Sequence, residues 1–162
     1  MAQLKRKDFA HYFDTATSGT STPDWTLEGI GVEALSLAYN PQIDTFKQII
    51  DDVASSTFDS YQIQSSVSGK RIDKDDKIWK WLNDARKKAE SIETKMLEVN
   101  MASGTGSGTL SYEALQYNVL IVINEFLGEN ATISYDVYVK GKPTIGSVTI
   151  SSGKPTFTVS AD

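Results

Sequence analysis

Short apolar/polar alternation recurs along nearly the whole chain, and a helical period appears only once. Leu35, Leu37 and Tyr39 alternate with Ser36 and Ala38, and Tyr61, Ile63 and Val67 stand opposite Gln62, Gln64 and Ser66. Ile133, Tyr135, Val137 and Val139 alternate with Ser134 and Asp136, and Val148, Ile150, Phe157 and Val159 form two short strands around Ser152-Gly153. Period-two patterning puts one face of each strand on a core and the other toward water, as in an antiparallel sheet. The run Val119–Ile123 is apolar on both faces and predicts a central strand covered on both sides. Ile92–Met101 also reads as extended. Its apolar parity shifts at Met96-Leu97, which predicts a β-bulge there.

One helix is predicted, over about 74–89. Ile78, Trp81, Leu82, Ala85 and Ala89 fall on one face. Asp73, Asp75 and Asp76 meet the unpaired N–H groups at its start, and Arg86, Lys87 and Lys88 suit the negative dipole end. The fold class is therefore mainly β (α+β): an antiparallel sandwich or barrel-like domain with one flanking helix. At 162 residues the chain makes a single domain, 1–162, able to bury its own core without a disulfide or metal. Ser103–Gly108 reads as a flexible Gly/Ser connector, and Ala2–Thr17 as an extended N-terminal arm within a segment 1–17.

A long polar excursion, about 42–60, interrupts the strand pattern without a Gly or Pro to build a tight hairpin. It carries Phe46, Ile49, Ile50, Val53 and Phe58, with Asp51 and Asp52 at its centre, which is more apolar surface than a free loop shows. These seven residues are the candidate contact site.

Catalytic and metal chemistry finds little footing. The absence of cysteine excludes a thiol nucleophile and a Cys-ligated zinc site. The only histidine, His11, has neither a second His nor a Cys to complete a transition-metal site. Gly104–Gly108 lacks the Gly-Lys-Ser/Thr ending of a phosphate loop, and Asp73/Asp75/Asp76 departs from calcium-loop spacing. No enzyme, cofactor or metal is expected. A net charge of −5 argues against a nucleic-acid binder, which needs a basic face. The longest apolar run is too short to span a membrane, and no secretory pattern follows Lys5-Arg6-Lys7, so a soluble chain made without a leader is expected.

The order of features from Trp25 to Lys88 resembles the tail tube (major tail) proteins of long-tailed bacteriophages. The likeness is carried by Trp25-x-x-Glu28-Gly29, the Leu35-x-Leu37-x-Tyr39-Asn40-Pro41 strand end, Asp51 through Tyr61, the Lys77-to-Arg86 helix and the terminal Gly153-Lys154-Pro155-Thr156-Phe157 hairpin. The resemblance implies a virion structural protein, assembled in the host bacterial cytoplasm. Six copies would join their sheets into a closed ring, and rings would stack into a hollow tube around a tape-measure protein. Tail terminator and tail-tip proteins would be further partners, and DNA would pass through without specific binding. Under this reading the 42–60 segment contacts neighbouring subunits or rings and orders on assembly. Six copies at −5 each carry −30, and an acidic lumen would repel DNA. The alternative is a carbohydrate- or protein-binding β-sandwich module, with Trp25, Trp79 and Trp81 as a stacking surface and Trp79 the exposed member, off the helical stripe.

Overall fold

The structure, a computed structural model, describes residues 3–17, 20–33 and 35–161. Its strands are β1 (Phe9–Asp14), β2 (Trp25–Glu28), β3 (Pro41–Phe46), β4 (Ser55–Tyr61), β5 (Gln64–Arg71), β6 (Ile92–Thr105), β7 (Ser111–Leu127), β8 (Thr132–Ser151) and β9 (Lys154–Val159); α1 spans Lys77–Lys88. Seven strands form one antiparallel sheet in the order β2-β1-β6-β7-β8-β5, with β9 also on β8, while β3 and β4 pair separately. Among the described residues the fold is mainly β with one α-helix, as the sequence pattern predicts.

The sheet buries opposite faces in its two halves. Directly paired residues share a face, so Phe13, Met96 and Tyr117 form one row and Tyr12 and Leu97 the next. The first row packs with Val119, Ile121, Ile133, Tyr135 and Val137 beneath Ile78 and Leu82 of α1. The second points the other way and joins Trp25, Val99, Ala114 and Val148, with Phe157 of β9 against them. β2 touches β9 at that end, so the sheet curls until it is nearly closed.

This change of face explains the parity shift in β6. Met96 and Leu97 are both fully buried, yet β6 pairs with β7 without interruption from Ile92 to Asn100. No bulge lies at 96–97; adjacent side chains serve two different cores. Register shifts fall instead between Asn100 and Thr105, Gln116 and Asn118, and Ile123 and Glu125.

Other expectations change in detail. Ile133–Val139 and Val148–Ile150 belong to one continuous strand, β8, which a two-residue turn at Ser152 (φ 50°) and Gly153 (φ 76°) joins to β9. β7 is central, but within the run 119–123 only Val119 and Ile121 are buried; Leu120 and Val122 on the opposite face are half-buried, so that face is only partly covered. Leu35–Asn40 makes only a bridge between Ala38 and Gln64, since Leu35 and Leu37 are anchored by packing rather than by a partner strand. Tyr61 and Val67 lie in different sheets, divided at Gln62-Ile63. β6 runs through Gly104 to Thr105, making the Gly/Ser run a hairpin tip rather than a linker. Phe9–Asp14, expected in the N-terminal arm, is an internal strand held between β2 and β6.

The helix is shorter than the predicted 74–89 because both ends are capped. The Asp75 N–H donates to Asp73 Oδ1 at 2.8 Å, and Asp76, the N-cap, accepts from the Ile78 N–H at 3.0 Å. Ala89 turns left-handed at φ 53° and ends the helix.

A buried charge cluster fastens the two edges of the sheet. Lys70 on β5 is fully buried. Its Nζ donates to Glu28 Oε1 at 2.7 Å and to the Ile30 carbonyl at 2.5 Å. Asp76 Oδ2 completes the ion pairing at 2.8 Å, a charge contact rather than an aligned hydrogen bond. The Tyr135 hydroxyl donates to Glu28 Oε2 at 2.7 Å. The Arg71 N–H donates to the Gly31 carbonyl at 3.0 Å beside this cluster. Gly31 has φ 73°, and a Cβ there would stand 2.3 Å from the Arg71 oxygen, so only glycine allows the approach.

Replacing Lys70 with Met strands two buried carboxylates. K70M is expected to lose about 3–5 kcal/mol of stability, read from the urea midpoint. Burial also raises the Glu28 carboxyl above its usual 4.5, against the opposing pull of Lys70. A raised folded value favours the protonated form in the fold. The Glu28 contribution to stability is thus full below the unfolded value and declines as pH rises through the folded one. Glu28→Gln is expected to flatten the pH dependence of unfolding from about pH 4.5 upward, measured by urea titration at successive pH values.

Candidate interaction surface

The 42–60 segment is not a loop but a twisted two-stranded ribbon. Pro41 pairs with Tyr61, Ile43 with Phe58 and Phe46 with Ser55, with a register shift between Gln42 and Ile43. Residues 47–54 connect the strands. A turn there is closed by the Asp51 N–H donating to the Gln48 carbonyl at 3.0 Å, while Asp51 Oδ2 accepts from the Gln48 N–H at 3.1 Å. The expected tight-turn residues are absent because the long connection does not need them.

The ribbon leaves the body at Asn40, whose φ of 40° redirects the chain. The Asn40 Nδ2 donates to the Gln62 carbonyl at 3.1 Å, and the Gln62 N–H donates to the Tyr39 carbonyl at 3.1 Å. Tyr61 packs at this base against Tyr39 and Phe58, with ring centroids 5.6 and 4.8 Å apart.

All seven predicted site residues lie on this ribbon. Ile49 is completely exposed, Ile50 is 83% exposed, Val53 79% and Phe46 68%. Phe58 and Asp52 are also exposed, whereas Asp51 is half-buried by its turn. None belongs to either hydrophobic cluster. Pairing puts Ile43 and Phe58 on one ribbon face and Phe46 on the other, so apolar surface faces both ways. The sequence reading omitted Ile43, Tyr39 and Tyr61. Ile43 directly opposite Phe58 was the available signal, hidden by the one-residue register shift.

A second apolar surface lies on the body. Clefts of about 390 and 440 Å³ meet at Phe9 and Glu98. Leu27, Leu35 and Leu37 line the first and Leu115 and Ile145 the second. Leu27 and Ile145 are more than half exposed. His11 contacts Glu98 at 3.0 Å here, which accounts for the lone histidine without a ligand. Among the described residues no group of three or more His, Cys, Asp or Glu side chains could hold a metal ion.

The tryptophans do not form a stacking platform. Trp25 is buried, and Trp81 packs on Phe13 with centroids 6.0 Å apart. Trp79, expected to be exposed, is half-buried and stacks on Phe126 at 6.0 Å and 13°, with the Arg86 guanidinium 4.2 Å from the same ring. Asp24, between β1 and β2, accepts from Lys77 at the start of α1 and from Lys154 at the start of β9. These two cations hold its carboxyl below the usual range.

No protein-family model and no curated protein matches the chain. Among the described residues no helix is long and apolar enough to cross a membrane.

Because the ribbon packs on neither core, its apolar side chains contribute little to the fold. The triple variant Ile49→Ser/Ile50→Ser/Val53→Ser is expected to keep its unfolding free energy within about 0.5 kcal/mol of the parent, measured by urea denaturation.

Proposed function

We propose that this chain is a structural subunit that works by polymerising, of the phage tail tube kind. The observation that carries the reading is the β3–β4 ribbon. It is a paired ribbon braced only at its base, and its apolar tip side chains Phe46, Ile49, Ile50 and Val53 are exposed and belong to neither core. Contiguous apolar surface of this kind marks a partner site. The sequence resemblance supplies the kind of partner: further copies in rings, hexameric in that family, stacked around a tape-measure protein. Terminator and tip proteins close the two ends, and DNA passes through the lumen without specific binding. The proposed place of work is the phage tail, after assembly in the host bacterial cytoplasm.

The body suits the role. A nearly closed sheet leaves few unpaired edges to aggregate without order, so association is directed to the projection. A sugar-binding module has less support, because each tryptophan packs against protein rather than presenting a free indole face. The reading assigns no catalytic residue and no cofactor.

Negative-stain electron microscopy across a concentration series tests it. Rings or tubes of uniform diameter are expected from the parent chain, and dispersed particles from the triple serine variant at the same concentrations. Tubes from both would remove the ribbon from the assembly. Monodisperse parent particles at every concentration would sink the polymer reading.

A further inference from the structure

The geometry points to the cleft pair around Phe9 as the acceptor for the ribbon tip of a second copy of this chain, an inference that rests on the polymer reading above. The tip offers Phe46, Ile49, Ile50 and Val53, all exposed. The trough offers Phe9, Leu27, Leu35, Leu37, Leu115 and Ile145, of which Phe9, Leu27 and Ile145 are exposed and the others half-buried. The two clefts share Phe9 and Glu98, so they lie side by side across β1 and β6.

Charge favours this pairing. Residues 41–61 carry Asp44, Asp51, Asp52 and Asp59 against the single cation Lys47. Lys7 lines the trough and Lys5 lies two residues before it, and neither forms an ion pair among the described residues. Of the trough's acids, Glu98 is engaged by His11 and Glu28 by Lys70 and Tyr135, while the exposed Glu113 stands in the second cleft, which Lys7 does not line. The cations beside the first cleft therefore face the acids of the tip, with its apolar side chains toward Leu115 and Ile145.

Size agrees as well. Phe46, Ile49, Ile50 and Val53 are the exposed large apolar side chains of the tip. Covering them removes on the order of 600 Å² from water, and an equal area on the acceptor brings the total to the lower end of the roughly 1,200–2,000 Å² of a specific interface. The occupant is another molecule because the strands carry the tip roughly 20 Å beyond Asn40, at about 3.3 Å per residue. In the isolated chain Ile49 touches nothing. Donor and acceptor are different patches, so the contact is heterologous and repeats from copy to copy, generating rings or filaments rather than a closed dimer.

The absence of native cysteine makes disulfide trapping unambiguous. Ile49→Cys combined with Ile145→Cys is oxidised at assembling concentrations and compared with Ile49→Cys combined with Phe126→Cys, whose second thiol lies on a separate exposed apolar surface. The expected result is a ladder of linked subunits from the first pair and background from the second. Lys7→Glu is expected to reduce the ladder several-fold, and adding Asp51→Lys and Asp52→Lys to restore it. Assemblies that form without linking Ile49 to Ile145 above the control overturn the acceptor assignment and leave the polymer reading standing. A disulfide within one chain shows that the ribbon folds back, and overturns the second-copy occupant. A chain that stays monomeric throughout removes both readings together.

Discussion

One ammonium group, Lys70 Nζ, centres a cluster that ties together three stretches of chain, 28–30, 70–76 and the neighbourhood of Tyr135. Glu28 ends β2, Ile30 begins the loop that crosses to β5, Asp76 caps α1, and Tyr135 reaches the same carboxylate from β8. Taking such a charge from water costs several kcal/mol, which is offset only when its partners are numerous and fixed. Hydrophobic packing alone would tolerate several positions of the helix over the sheet. The cluster tolerates one, because moving α1 by a turn would part Asp76 from Lys70 and leave the buried Asp76 carboxylate without its partner. Closure of the sheet and placement of the helix are therefore one event.

That closure also decides what remains available for contact. With its edges fastened and both cores filled, the body has little reason to associate through backbone pairing. Much of the chain's exposed apolar surface lies on the ribbon and around the clefts at Phe9. The ribbon is hydrogen-bonded along its length and braced by an aromatic cluster at its base. A preformed ribbon loses less conformational entropy on docking than a disordered loop of the same composition. The segment, expected as a loop that orders on assembly, is a hydrogen-bonded two-stranded ribbon in this structure.

The parts of the fold legible in sequence are those with a single buried face. Ile133, Tyr135 and Val137 alternate because one side faces α1, and Ile78 and Leu82 show a helical period for the same reason. Where both faces are buried, or neither is, the pattern fails. Met96 and Leu97 serve opposite cores and resemble a register slip. The ribbon strands bury neither face, so they carry no alternation and resemble a loop. The seven contact candidates were nevertheless legible from composition, as apolar residues within a polar stretch. The trough was not, since Phe9, Leu27, Leu115 and Ile145 come together only through the pairing of β1, β2, β6, β7 and β8.

The order of the strands has a consequence for how the chain acquires its structure as it is made. His11 meets Glu98 across 87 residues, Glu28 meets Tyr135 across 107, and Asp24 meets Lys154 across 130. The β1–β2 hairpin is synthesised well before its sheet neighbour β6, and β9, whose Phe157 packs on the cluster of Trp25, follows later still. No early segment can complete a core alone. Such non-local closure slows folding. It also leaves the β1–β2 hairpin, with its aromatic residues, waiting uncovered until β9 is made, the interval in which a chaperone has most to protect.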